Sequence, residues 1–224
     1  MSTKDNKIIT SEQLIKAYML GMFPMSDSRT NKKIFFVDPE FRAIIPIFNF
    51  YISKSLLRLV KKKPFKISIN KAFSDVIKSC ATINRTDTWI NKEIETLFTS
   101  LHEMKYAHSV ECWQENQLVG GIYGLAIGGV FFAESMFSLV PNGSKIALLN
   151  LVAKLWKTGF KVLDVQFLNE HLLQFGAYEI SKSEFQTKLQ KAIQLDVDIL
   201  SFGNTDDDFS DCLSTFLQAR IEMS

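Results

Sequence analysis

Hydrophobic residues along this chain switch repeatedly between helical and alternating spacing, and each switch marks an element. Leu14, Ile15, Tyr18 and Met19 sit at helical spacing behind Thr10 and Ser11, either of which can cap the helix. Glu12 lies in the first turn and Gly21 ends the helix. Phe23-Pro24 then turns the chain, and residues 26–33 make a polar loop. IFFVDP and FRAIIPI read as two short extended segments, each closed by proline. Residues 1–50 are expected to form a small N-terminal subdomain, and 51–224 the main domain.

A second helix begins near Ser53, carries Leu56, Leu57, Leu59 and Val60, and ends in Lys61-Lys62-Lys63-Pro64, where cations suit the helix dipole. FKISI alternates as a strand and KAFSDVIKSCA is amphipathic. After a loop through 84–88, Trp89 opens a helix striped by Ile90, Ile94, Leu97 and Leu101. HSVECWQ and QLVGGIYGLAIG pair about the turn residues Glu115-Asn116, and GGVFFAES follows as a third strand. SKIALLNLVAKLWKTG is a helix with Ser144 as cap and Gly159 as stop, and FKVLDVQFL is the next strand. NEHLLQFGA is a short helix, EISKSEFQTKLQKAIQ a last strand and helix, and DFSDCLSTFLQARIEM a closing helix after the acidic, irregular stretch 195–208.

The order β-α-α-β-β-β-α-β-α-β is a meander that runs into a β-α-β unit. The expected fold class is α+β, a mixed sheet flanked by helices in the manner of GNAT-type acyltransferases. There, a splayed parallel pair leaves a cleft in which acyl donor and amine acceptor meet. Such a fold does not by itself fix a function.

Composition narrows the classes. With 224 residues, 46% of them hydrophobic and 19 Phe, the chain can bury a substantial core. A net charge of +2 gives no global attraction for nucleic acid, so any such attraction must be local. Three widely spaced cysteines without a C-x-x-C pair argue against a disulfide framework or a zinc site and fit a reducing cytoplasm. The polar start MSTKDNKIIT does not read as a signal peptide, and no apolar run approaches the roughly 20 residues that span a membrane.

Candidate chemistry concentrates between His108 and Gln166. Glu134 stands among Phe131, Phe132, Met136 and Phe137, a costly place for a carboxylate unless it is paired. Its partner is either a cationic substrate or an internal Lys or Arg. Asp164 and Gln166 are two apart on a strand, so alternation sends them to one face. Spacing alone serves a structural hydrogen-bonded pair equally well. A CoA enzyme of this fold needs a glycine-rich turn before the helix that follows the third strand, to hold the pyrophosphate. SLVPNGSK at 138–145 has one glycine and lacks that pattern. Cys112 is expected in the core. His102 and His171 read as structural residues, and His108 lacks a nucleophile to partner.

Motifs through most of the chain resemble the leucyl/phenylalanyl-tRNA–protein transferase family: LIKAYMLGMFPM at 14–25, NKAF at 70–73, DTWI at 87–90, AHSVECW at 107–113, LVGGIYG at 118–124, FFAESMFS at 131–138, SKIALL at 144–149 and DVQFLNEHL at 164–172. The resemblance implies transfer of Leu, Phe or less readily Met from aminoacyl-tRNA to proteins with N-terminal Arg or Lys, marking them for N-end-rule degradation, with no metal and no CoA. It puts the catalytic Asp/Gln pair on Asp164 and Gln166. The acceptor's positive charge falls to Glu134, and the Leu/Phe pocket to Ile122, Phe131, Met136, Leu148, Leu151 and Leu163. The terminal adenosine would stack on Trp89 and on the position usually held by Trp, here Met25, which stacks less well. Lys54, Arg58, Lys61, Lys62, Lys63 and Lys66 are the best local surface for tRNA phosphates.

Overall fold

A computed structural model describes residues 9–83 and 85–222. The polar start at 1–8, Asn84 in the expected loop, and the last two residues lie outside it. Helix α1 (Ser11–Met19) begins at Thr10, which shares a capping box with Gln13. Strands β1 (Phe23–Met25) and β2 (Phe35–Val37) form a small ribbon, so Phe23-Pro24 starts a strand as well as turning the chain. The elements that follow are β3 (Phe41–Ile45), α2 (Lys54–Val60), β4 (Lys66–Ile69), α3 (Phe73–Thr82) and α4 (Lys92–Glu103). Then come β5 (Ala107–Gln114), β6 (Gln117–Ile127), β7 (Val130–Ser138), α5 (Gly143–Thr158) and β8 (Val162–Gln166). The chain closes with α6 (Glu170–Leu173), β9 (Tyr178–Ser181), α7 (Lys182–Ala192) and α8 (Asp206–Glu222).

Seven strands make one mixed sheet in the order β4-β5-β6-β7-β8-β3-β9, antiparallel throughout except for the parallel pair β7–β8. The β5–β6 turn holds Glu115 and Asn116 at φ 49° and 66°, as a two-residue hairpin of this hand requires. Strand β3 lies between β8 and β9, and Ala43, Ile45, Ile47 and Phe50 sit in the main core, so the expected division at residue 50 runs through the sheet. Short strands carry no local mark of their partners.

Two apolar layers cover the sheet. On one face α5 and α8 pack with Leu56 of α2; on the other Leu14, Tyr18, Phe73, Ile77, Ile94, Phe98 and Phe185 come from α1, α3, α4 and α7. Helix α5 is buried nearly all round because α8 covers its outer side. Two helix starts differ from expectation. Asn91, not Trp89, caps α4, its side chain accepting from Ile94 N–H at 2.8 Å. Ser144 lies inside α5, and its N–H donates to Ser138 Oγ at 2.6 Å. Gly159 does stop α5, at φ 92°.

The glycines of LVGGIYG set how closely α5 approaches the sheet. A methyl group on Gly120 would stand 2.8 Å from Gly143 Cα at the first residue of α5. Backbone cannot yield as a flexible side chain can. Gly120→Ala is therefore expected to destabilise the fold by about 2 kcal/mol, a fall in Tm of roughly 4–8 °C that a thermal melt will measure.

Candidate active site

Strands β7 and β8 pair only over Val130–Phe132 with Val162–Asp164 and then separate. A cavity of about 560 Å³ fills the gap. Its walls come from both faces of the sheet: Ile122, Met136, Leu148, Val165 and Leu172 on the α5 side, and Glu134, Ser135, Ile83 and Arg85 on the other. Ser138, Ser144, Asn169 and His171 add polar groups. The register of β6 on β7 shifts from Tyr123↔Ser135 to Gly124↔Ala133, which leaves Glu134 as the extra residue of a bulge. A bulge re-aims side chains, and here Glu134 turns to the α1 side. Tyr18 Oη donates to Glu134 Oε1 at 2.7 Å.

Burial pushes the Glu134 carboxyl up to about 8; the neighbouring Asp164 charge adds to this, while the Tyr18 hydrogen bond and Arg42 oppose it. Asp164 is fully buried in an ion pair with Arg42. Arg42 Nε lies 2.9 Å from Oδ1 and Nη2 lies 2.6 Å from Oδ2. Asp164 Oδ1 also accepts the Gln166 main-chain N–H at 2.9 Å. The Asp164–Gln166 connection therefore runs through the main chain and not through the Gln166 amide. Gln166 holds φ 59°, unusual for a non-glycine residue, in a tight turn closed by Phe167 N–H to Val165 O at 2.7 Å. Its amide nitrogen is assigned toward Ala133 O (2.9 Å) and Val165 O (3.2 Å), an orientation fixed by hydrogen-bond complementarity. The amide thus bridges the opening between β7 and β8, and its oxygen is left to accept. Tyr123 Oη, buried near Glu134, finds no hydrogen-bond partner among the described residues.

The family model for leucyl/phenylalanyl-tRNA protein transferase matches residues 44–190. The leucyl/phenylalanyl-tRNA--protein transferase of Phenylobacterium zucineum (strain HLK1) is 47% identical over 195 residues, 86% of this chain and 88% of that protein. The protein of the same name from Caulobacter vibrioides (strain NA1000 / CB15N) is 44% identical over 214 residues, 94% of this chain and 97% of its own. The chain belongs to the leucyl/phenylalanyl-tRNA protein transferase family. It is an aminoacyltransferase. Among solved structures, L-PGS from Bacillus licheniformis aligns with a TM-score of 0.39 and 12% identity, covering 80% of this chain and 62% of that one, too distant a likeness to carry weight.

Against the residues expected for this transferase, the cavity gathers Glu134, Ile122, Met136 and Leu148. Phe131, Leu151 and Leu163 are at most 1% exposed and lie in the core rather than on the cavity wall. Gln166, also buried, stands at the strand end next to the lining residues Ala133 and Val165 without itself lining the cavity, and Asp164 is sealed behind it. Met25 and Trp89 are half-buried against the α1–α4 layer, outside the cavity wall. Lys54, Arg58, Lys61, Lys62, Lys63 and Lys66 lie on and after α2, and all six are exposed. His108 is a structural residue of β5, bonded to Asn70 and Lys105 O and pushed down to about 4 by burial. Cys112 is buried, its thiol pushed up by burial.

Three residues of the site, Arg42, Tyr18 and Arg85, are not among those expected. The first two carry a readable sign: a cation within the apolar strand FRAII, and a tyrosine on the buried stripe of α1 whose hydroxyl needs a partner. Arg85, whose Nη2 donates to Ser135 Oγ at 2.9 Å, stands in a polar loop that carries no such sign.

A carboxyl raised from 4.5 to about 8 favours the folded state in its protonated form. That contribution is complete below about pH 4.5 and is lost as pH rises through 8. Glu134→Gln cannot ionise, so its stability relative to the native chain is expected to rise between pH 5 and pH 8, on the order of a few kcal/mol. Denaturant melts of both proteins at several pH values will show the gap widening.

Proposed function

We propose that this transferase moves Leu, Phe and less readily Met from aminoacyl-tRNA to the α-amine of proteins with N-terminal Arg or Lys, marking them for N-end-rule degradation in the cytoplasm. The observation that carries this function is the two-ended cavity: an apolar wall of Ile122, Met136 and Leu148 toward α5, beside the Ser138 and Ser144 hydroxyls, and a single carboxylate of high proton affinity toward α1. Its setting, a sheet whose one parallel pair separates beside a β-α-β unit, accords with a GNAT-like arrangement.

The donor's side chain enters among Ile122, Met136 and Leu148, where branched and aromatic groups both meet apolar walls and Met136 adapts to either. Phe131, Leu151 and Leu163 act from behind, fixing the shape of that wall. The acceptor brings a positive N-terminal residue and an α-ammonium whose ordinary pKa is about 8. Both suit the end that holds Glu134. Arrival of a cation favours ionised Glu134, whose own proton passes to solvent. The carboxylate then takes a proton from the α-ammonium, and the free amine attacks the ester carbonyl. As the amide bond forms, the ester C–O bond breaks and the ribose oxygen leaves as a hydroxyl with the proton shed by the attacking nitrogen. The Gln166 oxygen accepts from the amine or from the ribose hydroxyl. Asp164, engaged by Arg42 and by the Gln166 main chain, orients that turn and takes no proton itself. Trp89 and Met25 would flank the terminal adenosine, and the cluster on and after α2 would meet acceptor-stem phosphates. A CoA donor is poorly supported: Gly143 packs on Gly120 and Ser138 already engages the Ser144 N–H, occupying the helix start where a pyrophosphate would sit.

The test is label transfer from leucyl-tRNA to a Lys-terminal peptide, with and without acetyl-CoA. Transfer without CoA is expected; a requirement for acetyl-CoA would overturn the assignment. Asp164→Ala and Gln166→Ala are each expected to lower turnover by at least roughly 10²-fold while tRNA affinity stays within a few-fold, and equal losses in both would make the pair merely structural. Joint replacement of Lys61, Lys62 and Lys63 by Ala should flatten the salt dependence of tRNA binding by about 0.7–0.9 logarithmic units for each phosphate no longer neutralised and leave turnover at saturating tRNA unchanged. Binding titrations at several salt concentrations read this directly.

A further inference from the structure

Arg42 is 1% exposed, and its guanidinium is engaged both at its edge and on its faces. Nε and Nη2 engage both oxygens of Asp164, Nη1 donates to Gly21 O at 2.8 Å, and the rings of Phe23 and Phe185 stand 4.5 and 4.6 Å from Cζ. A buried ion pair of this kind is a poor device for stability, since apolar residues of similar volume commonly do as well or better. Geometry is what it supplies. Asp164 Oδ1 is shared between Arg42 Nε and the Gln166 N–H, so the same contact that fixes the carboxylate also fixes the turn in which Gln166 holds φ 59°. At the other end, the bond to Gly21 O secures the chain just after α1, the helix that carries Tyr18 to Glu134.

We propose that Arg42 is a positioning residue for aminoacyl transfer, acting through Asp164 to hold Gln166 at the opening between β7 and β8. The proposal rests on the function assigned to Gln166 above. Without the guanidinium, Asp164 loses its only cation among the described ion pairs, and the Gln166 N–H loses a fixed acceptor. The amide that bridges to Ala133 O then moves off the opening.

Steady-state transfer from leucyl-tRNA to a Lys-terminal peptide, with Tm measured on each protein, tests this in the full chain with Arg42→Met, Arg42→Lys, Asp164→Asn and the double variant. Arg42→Met is expected to lower kcat roughly 10²-fold, the scale of an ångström-sized misplacement, with KM for leucyl-tRNA within about threefold. Arg42→Lys, which keeps charge but not the fork, should fall between the native chain and Arg42→Met. Because Arg42 acts through Asp164, adding Arg42→Met to Asp164→Asn should cost less than about threefold more. The double variant leaves no unpaired buried charge, so it and Arg42→Lys carry the test if Arg42→Met fails to fold. Native kcat in Arg42→Met or Arg42→Lys overturns the proposal, as does a double variant in which the two losses multiply. Transfer by the native chain separates the two levels. If it is absent, the assigned function fails and this role falls with it; if it is present and the Arg42 variants match it, only the role of Arg42 fails.

Discussion

Past Phe132 and Asp164 the strands β7 and β8 stop exchanging hydrogen bonds, and the backbone groups freed there must be satisfied some other way. The Gln166 amide meets part of that need by reaching across to Ala133 O. The bulge at Glu134 supplies the extra length that lets β7 leave its partner while keeping its pairing with β6. A gap opened inside a sheet has two mouths, one on each face, and the two apolar layers make those mouths chemically different. On the α5 side Ile122, Met136 and Leu148 form an apolar wall beside the hydroxyls of Ser138 and Ser144; the other side carries Glu134 and Arg85 beside Ile83. A single strand separation thus provides two adjoining compartments of different character.

Two carboxylates stand close to that gap in different surroundings. Asp164 is saturated by a guanidinium and a main-chain N–H, so it serves as a fixed anchor. Glu134 has one tyrosine hydroxyl and otherwise the cost of burial, with the fixed charge of Asp164 nearby. It therefore holds a proton more tightly than a carboxyl ordinarily does. The ion pair of Arg42 with Asp164 joins a strand early in the chain to one late in it, across 122 positions. It ties β3 into the sheet beside β8, where a separate N-terminal unit would have left it outside.

Much of this is legible in the sequence wherever the signal is local. The Glu115-Asn116 turn, the Gly159 stop and the order of elements after residue 65 follow from dipeptides, periodicity and punctuation, and the structure has them in the expected places. Trp89 reads as a helix start because it opens an apolar stripe, yet the oxygen that caps the helix belongs to Asn91. Ser144 reads as a cap by its residue type, yet the hydroxyl that engages the first turn comes from Ser138 on the preceding strand. What local signals do not carry is what depends on pairing at a distance: the insertion of β3, the bulge that aims Glu134, and the partner of Asp164. Of the pocket residues, Ile122, Met136 and Leu148 face the cavity and Phe131, Leu151 and Leu163 do not. All six are apolar residues of core elements, and only the point at which β7 and β8 part determines which of them borders open space.

The space between β7 and β8 is proposed to receive an esterified amino acid. A crystal structure with a non-hydrolysable 3′-aminoacyl-adenosine analogue carrying phenylalanine measures this directly. The aromatic side chain should lie among Ile122, Met136 and Leu148, with the aminoacyl carbonyl near Gln166 and the Glu134 carboxyl open to an acceptor. An analogue bound elsewhere, with that space empty or closed by the chain's own side chains, would contradict it.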